Sequence, residues 1–260
     1  MQEFLKNVIK EAGEVALSYF NKVDLKMREK GDERDIVTEA DEAVSEFLVT
    51  SIHKNYPDHH ICSEEMAEDI NPGAEYEWVM DPIDGTWVFA NGLPTWGIMI
   101  AVLKNGEPYL SAVYFPVYND LFFAEKNKGA FLNDKKISVN NMDLLDRANG
   151  ILFRATPGTV YGDYFEKYRS LGAKLILDYN CHSMNFGSAA FLCYVASGVF
   201  GYAGGNAGLA WDLIPPFLIC SEAGAVITDS DGNPWKRGRQ DYIMANPEIH
   251  PQIMKLFKEL

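Results

Sequence analysis

The 260-residue sequence is poor in cysteine, histidine and positive charge, and it has no long apolar run. Each shortage removes a class of protein. The four cysteines, Cys62, Cys181, Cys193 and Cys220, show no C-x-x-C spacing, and a chain of this length needs no disulfide staples, so reduced, mostly buried thiols are expected. The five histidines form no H-x-x-x-H pair, which argues against zinc. Lys and Arg number 23 against 37 Asp and Glu, a net charge of −14, and such a surface repels nucleic-acid phosphates. The one basic stretch, Lys236 to Arg239, reads as a solvated loop. No apolar stretch reaches the roughly 20 residues of a spanning helix. Phe4, Leu5, Val8, Ile9, Ala12, Val15, Ala16, Tyr19 and Phe20 recur at helical spacing instead of forming a signal peptide. The expectation is a cytoplasmic protein with no membrane or nucleic-acid partner.

What is present suits a large core: 47% of residues are hydrophobic and 13% aromatic. Periodicity predicts helices over 2–21, 40–54, 159–171, 185–197, 212–223 and 247–259, the last with Asn246 as N-cap and Pro247 at its first position. Strands are expected over 77–81, 96–104, 109–117, 121–125, 151–154, 174–178, 199–203, 225–228 and 241–245. Asn105-Gly106 between two apolar runs marks a hairpin. Strands joined by tight turns, then alternating helices and strands, make a mixed α/β (α+β type) protein. The division expected is 1–140 and 141–260, two subdomains in one compact unit. The aromatic-rich stretch Leu110 to Phe123 is a candidate dimer interface or a pair of buried strands.

The chemistry concentrates in Asp81-Pro82-Ile83-Asp84-Gly85-Thr86, where an apolar strand gives way to a helix. Asp81, Asp84 and the carbonyl of Ile83 offer the hard oxygen atoms that Mg²⁺ prefers, and Gly85 and Thr86 can turn N–H groups toward a phosphate. Turn and capping chemistry explains the same six residues equally well when they are taken alone. Three further clusters shift the balance: Asp35 to Asp41, the paired acids Glu64-Glu65, and Trp211-Asp212 ahead of an apolar stretch ending in Glu222-Ala223-Gly224. Thr38-x-x-Asp41 also fits a capping box, and Asp212 fits a helix cap with Gly224 as the residue after the helix. Capping and metal ligation are compatible, because helix N-termini favour anions.

Taken together, Asp35 to Asp41 (D-x-V-T-x-x-D), Glu64-Glu65, Trp78 to Asn91 and Trp211 to Ala225 resemble the inositol monophosphatase family of Mg²⁺-dependent, Li⁺-sensitive phosphatases. The second signature departs from the usual small residues at Ile214 and Pro215; both Pro215 and Pro216 are expected in the first helical turn, where a missing N–H costs little. The resemblance implies a layered αβαβα sandwich of the inositol monophosphatase/fructose-1,6-bisphosphatase kind and frequently a homodimer. It implies two or three Mg²⁺, with Mn²⁺ an acceptable substitute: Glu65, Asp81 and the Ile83 carbonyl for one ion, and Asp81, Asp84 and Asp212 for a second. Glu65, Thr86 and Asp41 would activate a water, while Asp84, Gly85, Thr86, Ser188, Ala189 and Asp212 would line the substrate site. Lys30 matches a family position near the metal loop, or is a solvated lysine. No G-x-S-x-G elbow competes as a covalent nucleophile.

The partner implied is a small phosphorylated metabolite, a polyol or sugar-type phosphate such as inositol 1-phosphate. Histidinol phosphate and fructose 1,6-bisphosphate are alternatives, because Gly205 stands where inositol-selective members carry an acid and Met184-Asn185 where an Arg is common. Trp87, Trp96 and Trp211 are candidate walls for a ring, or simply packing. A metabolite-sensing module without turnover is the alternative of another class, and the complete acid set argues against it.

Overall fold

The fold is that of a computed structural model, which describes residues 1–22, 24–32, 35–152 and 165–260. In chain order come α1 (Gln2–Tyr19), β1 (Met27–Asp32), β2 (Asp35–Thr38), α2 (Glu39–Asn55), β3 (His60–Ser63), β4 (Tyr76–Asp84) and α3 (Thr86–Ala90). Four hairpin-linked strands follow, β5 (Gly97–Lys104), β6 (Glu107–Phe115), β7 (Asp120–Glu125) and β8 (Gly129–Leu132), then β9 (Lys135–Ile137) and β10 (Asn149–Leu152). The remainder is α4 (Phe165–Leu177), β11 (His182–Met184), α5 (Cys193–Ala196), β12 (Tyr202–Asn206), α6 (Ala210–Glu222), β13 (Val226–Thr228), β14 (Asp241–Ala245) and α7 (His250–Lys258). The side chains of Lys30 and Asp35, and residues 153–164 where one expected strand ends and one expected helix begins, lie outside the described residues.

Alternation along the strands builds the layers. On β5, Ile98, Ile100 and Val102 pack with Leu5, Ile9, Ala12, Val44 and Leu48 of α1 and α2, while Met99 faces the opposite side with Phe217 and Ile219 of α6. On β14, Tyr242 and Met244 join that α6 cluster, and Ile243 and Ala245 pack against Leu171 of α4 and Phe257 of α7. The order is therefore α1/α2, a sheet of seven strands, α6 with α5, a sheet of five strands, and α4/α7. This is the αβαβα sandwich the resemblance implied. Buried on all sides, α6 can be apolar around its whole circumference.

Local signals explain several elements. Asn105 and Gly106 both have positive φ (52° and 79°), the two-residue turn that matches strand twist, with Lys104 paired to Glu107. Gly224, at φ 97°, ends α6, with the Ala225 N–H reaching the Cys220 carbonyl.

Other expectations need correction. Residues 174–177 form the last turns of α4 and not a strand, because Tyr168, Leu171 and Leu175 recur at helical spacing and are buried, a distinction a short apolar run cannot reveal. Residues 185–188 precede any helix; a 3₁₀ turn at Ala189–Leu192 leads into α5. The last helix starts at His250, although Asn246 Oδ1 does accept from the Ile249 N–H at 2.8 Å and caps the turn leading in. Pro215 and Pro216 lie inside α6, past its first turn, and cannot supply N–H groups to the carbonyls of Trp211 and Asp212. Leu110 to Phe123 is mainly buried strand: Leu110, Ala112, Val113, Phe115 and Phe122 have no exposure, while Val117 and Tyr118 between β6 and β7 are exposed. Arg237 and Arg239 are not a solvated basic loop, since each is paired with carboxylates. Among the described residues no helix is long and apolar enough to cross a membrane.

Candidate metal and phosphate site

Regular alternation would send Asp81 and Asp84, three residues apart, to opposite faces of β4. A bulge prevents this: Asp81 pairs with Met99 and Asp84 with Gly97, so three steps on β4 oppose two on β5. The extra residue falls at Pro82-Ile83, where Pro82 has no N–H to give the ladder, and it returns Asp84 to the face of Asp81. Gly85 then takes φ 89° and starts α3. A Cβ there would stand 3.0 Å from Ser188 Cβ and 3.2 Å from the Gly187 carbonyl. Gly85→Ala is expected to cost about 1–3 kcal/mol through the left-handed backbone alone, and to push Ser188 off Asp84; a lowered Tm together with reduced phosphate release checks this.

The third carboxylate comes from the neighbouring layer. Asp212 is the third residue of α6, and its Oδ2 accepts from the Leu209 N–H, so the cap expected from sequence exists one turn inside the helix start. Oxygen atoms of Asp81, Asp84 and Asp212 lie within 4.8 Å of one another. Asp84 is held rigidly: Ser188 Oγ donates to Oδ2, the Ala189 N–H to Oδ1 at 3.0 Å and the Ala190 N–H to Oδ2 at 2.7 Å. The partner that the structure shows for Ser188 and Ala189 is thus Asp84. Burial raises the Asp84 carboxyl to about 6 despite these bonds. Asp81 is driven well above the carboxylate range by burial and then by the charges of Glu64, Asp84 and Asp212.

One oxygen decides what the cluster fits. Asp81 Oδ1 is buried and has no hydrogen-bond partner. A desolvated carboxylate oxygen facing two more carboxylates is unfavourable by itself and becomes favourable beside a hard cation. Oxygen is the only donor type in the set, which suits Mg²⁺ or Mn²⁺ and not a soft metal.

Beside the cluster, Asp41 divides its two oxygens between duties. Oδ2 accepts from the Thr38 N–H at 2.9 Å and from Thr38 Oγ1, while Thr38 Oγ1 accepts from the Ala40 N–H at 3.2 Å, which completes the capping box of α2. Oδ1 faces Thr86 Oγ1 at 3.1 Å, and that hydroxyl also lies 3.1 Å from the Ile83 carbonyl. Burial raises Asp41 to about 6, with the Thr38 bonds opposing the rise.

Of the paired acids, Glu64 is the one whose charge acts most strongly on Asp81. β3 runs parallel to β4 with Ser63 opposite Met80, and the Glu64 N–H continues the pairing to the Met80 carbonyl at 3.1 Å, so Glu64 falls beside Asp81. Its charge is the largest acting on Asp81, and that of Glu65 is not among the leading ones. The choice was open to period-two reasoning: aligning His60-x-Cys62-x-Glu64 with Glu77-x-Val79-x-Asp81 puts Glu64 on the site face. Trp96 is fully buried and drops out as a substrate wall, whereas Trp87 is 52% exposed next to Thr86. Gly205 lies in β12 and Met184 ends β11, 40% exposed.

The family model described as "Inositol monophosphatase family" matches residues 1–260. The chain belongs to the inositol monophosphatase family. It is 32% identical over 253 residues to the fructose-1,6-bisphosphatase/inositol-1-monophosphatase of Aquifex aeolicus, covering 95% of this chain and 91% of that protein. It is likewise 32% identical over 261 residues to a putative Nus factor SuhB of Neisseria meningitidis serogroup B, covering 98% of each. Among solved structures, the Thermotoga maritima inositol monophosphatase superposes with a TM-score of 0.85 at 29% identity, over 99% of this chain and 96% of that one. The protein is accordingly a phosphatase of this metal-dependent family, a phosphoric monoester hydrolase.

Proposed function

We propose that the chain is a Mg²⁺-dependent phosphomonoesterase acting on a small polyol or sugar-type phosphate. The observation that carries the metal reading is the unpartnered, buried Asp81 Oδ1 within the Asp81, Asp84 and Asp212 cluster. Asp81, Asp84, Asp212, the Ile83 carbonyl and Glu64, in place of the Glu65 first expected, would hold two or three ions. Bound there, Mg²⁺ supplies positive charge to the ester phosphate, to the attacking water and to the oxygen that departs.

The rest falls to the chain's own groups. Thr86 Oγ1 donates to Asp41, which leaves the hydroxyl oxygen able to accept from a water. That water's proton passes through Thr86 toward Asp41, whose carboxyl, raised to about 6, is poised to take it near neutrality. The N–H groups of Gly85 and Thr86 orient the phosphate, and the Ser188, Ala189 and Ala190 bonds keep Asp84 from swinging.

Gly205 offers a ring hydroxyl no carboxylate and Met184 offers no guanidinium, so the polyol need not be inositol; histidinol phosphate and fructose 1,6-bisphosphate are the second reading. The complete acid set supports turnover over metabolite sensing, and the net charge of −14 supports neither DNA nor RNA as a partner. Phosphate release is measured from inositol 1-phosphate, histidinol phosphate, fructose 1,6-bisphosphate and 3′-phosphoadenosine 5′-phosphate, with Mg²⁺ or EDTA. Release that needs Mg²⁺ and is strongest on inositol 1-phosphate or another polyol ester is expected. Equal release in EDTA would overturn the metal reading, and strongest release from histidinol phosphate or the nucleotide would overturn the polyol reading.

A further inference from the structure

The loop that carries Glu64 is fastened at its far end by charges that the proposed chemistry leaves unused. β3 is an edge strand, with Ile61 packed against the α1/α2 layer and His60 and Cys62 on the other face. On that face β4 presents Glu77, Val79 and Asp81, so Glu77 lies about 13 Å along the strand from Asp81. His60 Nε2 stands 2.8 Å from Asp69 Oδ2 and His60 Nδ1 stands 3.7 Å from Glu77 Oε1. Glu77 is 7% exposed and takes two bonds of 2.7 Å from the Arg237 guanidinium, which arrives from the loop before β14. Both ring nitrogens of His60 face carboxylates.

The chain geometry connects this cluster to the site. After Ser63 the backbone turns, with the Met66 N–H on the Ser63 carbonyl, and returns so that Ile61 and Ile70 exchange two bonds of 3.0 Å. Asp69 is one residue before that bridge, on the returning arm. The His60–Asp69 pair therefore closes the base of a loop whose outgoing arm sets Glu64 beside Asp81. Cys62, whose thiol burial pushes up to about 12, is a neutral neighbour of Asp69 and does not compete for the role.

We propose that His60, acting through Asp69, is a positioning residue for the metal site: it fixes the loop bearing Glu64, so that divalent-metal affinity depends on it while the chemical step does not. This rests on the metal reading given above. A contact with one exposed partner, here Asp69 at 39%, contributes little global stability, but an outer partner that orients a ligand governs metal affinity by about 10–100-fold. Arg237 keeps Glu77 paired when His60 is changed, so the fold survives the test.

The test is calorimetric titration with Mg²⁺ of the wild type, His60→Gln, Asp69→Asn and the double variant. As a control for general destabilisation it includes Leu256→Ala, from the buried face of α7. The Mg²⁺ Kd is expected to rise on the order of tenfold in each single variant, with the double no worse than either, because both remove one contact. Asp69→Glu should recover part of the affinity, and Leu256→Ala should lower Tm with Kd unchanged. An unchanged Kd in both His60→Gln and Asp69→Asn would overturn the proposal and leave a purely structural contact. Failure of the wild type to bind Mg²⁺ would bring down the metal reading and this inference together. If the wild type binds Mg²⁺ yet hydrolyses none of the esters, the substrate reading alone falls and the Kd comparison still decides the role of His60.

Discussion

Asp81→Asn is expected to cut turnover severely while making the metal-free protein harder to unfold. Catalysis loses a central ligand of the cluster, and kcat/KM should fall on the order of 10³-fold, the scale on which loss of one preorganised electrostatic group is felt. Stability moves the other way. The folded chain holds Asp81 desolvated against Glu64, Asp84 and Asp212, and an amide relieves that repulsion while adding a donor for a neighbouring carboxylate. In a chain of this size each kcal/mol relieved raises Tm by about 2–4 °C. Calorimetric scans with EDTA and with Mg²⁺ check both halves. Mg²⁺ should stabilise the wild type strongly and the variant little, and a variant less stable than the wild type in EDTA would refute the account of the cluster.

The same cluster sets a pH dependence whose sign can be worked out. Asp41 and Asp84 are raised from 3.8 to about 6, and Asp81 further, so the folded state binds their protons more tightly than the unfolded chain does. Stability from this source is full below the unfolded value near 3.8 and is lost as pH rises through about 6. Metal-free protein should therefore gain Tm relative to the Mg²⁺-loaded form as pH falls from 7 toward 5. Taking the difference between the two forms removes the opposing contribution of His250, whose buried imidazole titrates below 6.5 and so loses stability as pH falls.

How much of this was legible in the sequence depended on how local each signal was. Asn105-Gly106, the Thr38/Asp41 box and Gly224 declared themselves because the residue types alone force their backbone or cap geometry. The short strands β3, β8, β9 and β11, at three or four residues each, did not, since pairing along an existing sheet and not propensity makes them strands. Within the site, the signature around Asp81 and Asp84 was evident, but the bulge that turns both carboxylates the same way is a property of register with β5. Placing Glu64 beside Asp81 needed the lateral alignment of β3 with β4. Asp212 could be recognised as a helix-start acid, yet its meeting with Asp81 depends on α6 being clamped between two sheets.

Thr86→Val and Asp41→Asn should each lower kcat by about 10²–10⁴-fold, and together by little more than either alone. The reason is geometric. Thr86 Oγ1 contacts Asp41 Oδ1 at 3.1 Å, so the hydroxyl is the link through which a water's proton reaches the carboxylate, and losing either member breaks the same path. In Asp41→Asn the side-chain amide presents a donor to Thr86 and directs the hydroxyl proton toward the Ile83 carbonyl, itself 3.1 Å away. The variant also weakens the capping box of α2 by about 1 kcal/mol, whereas Thr86→Val leaves it intact; a matching loss of kcat in the two therefore separates chemistry from stability. Wild-type kcat should fall on the acid side as Asp41 takes up its proton, and this acid limb should disappear in Asp41→Asn. Losses that multiply in the double variant, or an acid limb unchanged in Asp41→Asn, would mean that Thr86 and Asp41 act separately and that the proton leaves by another route.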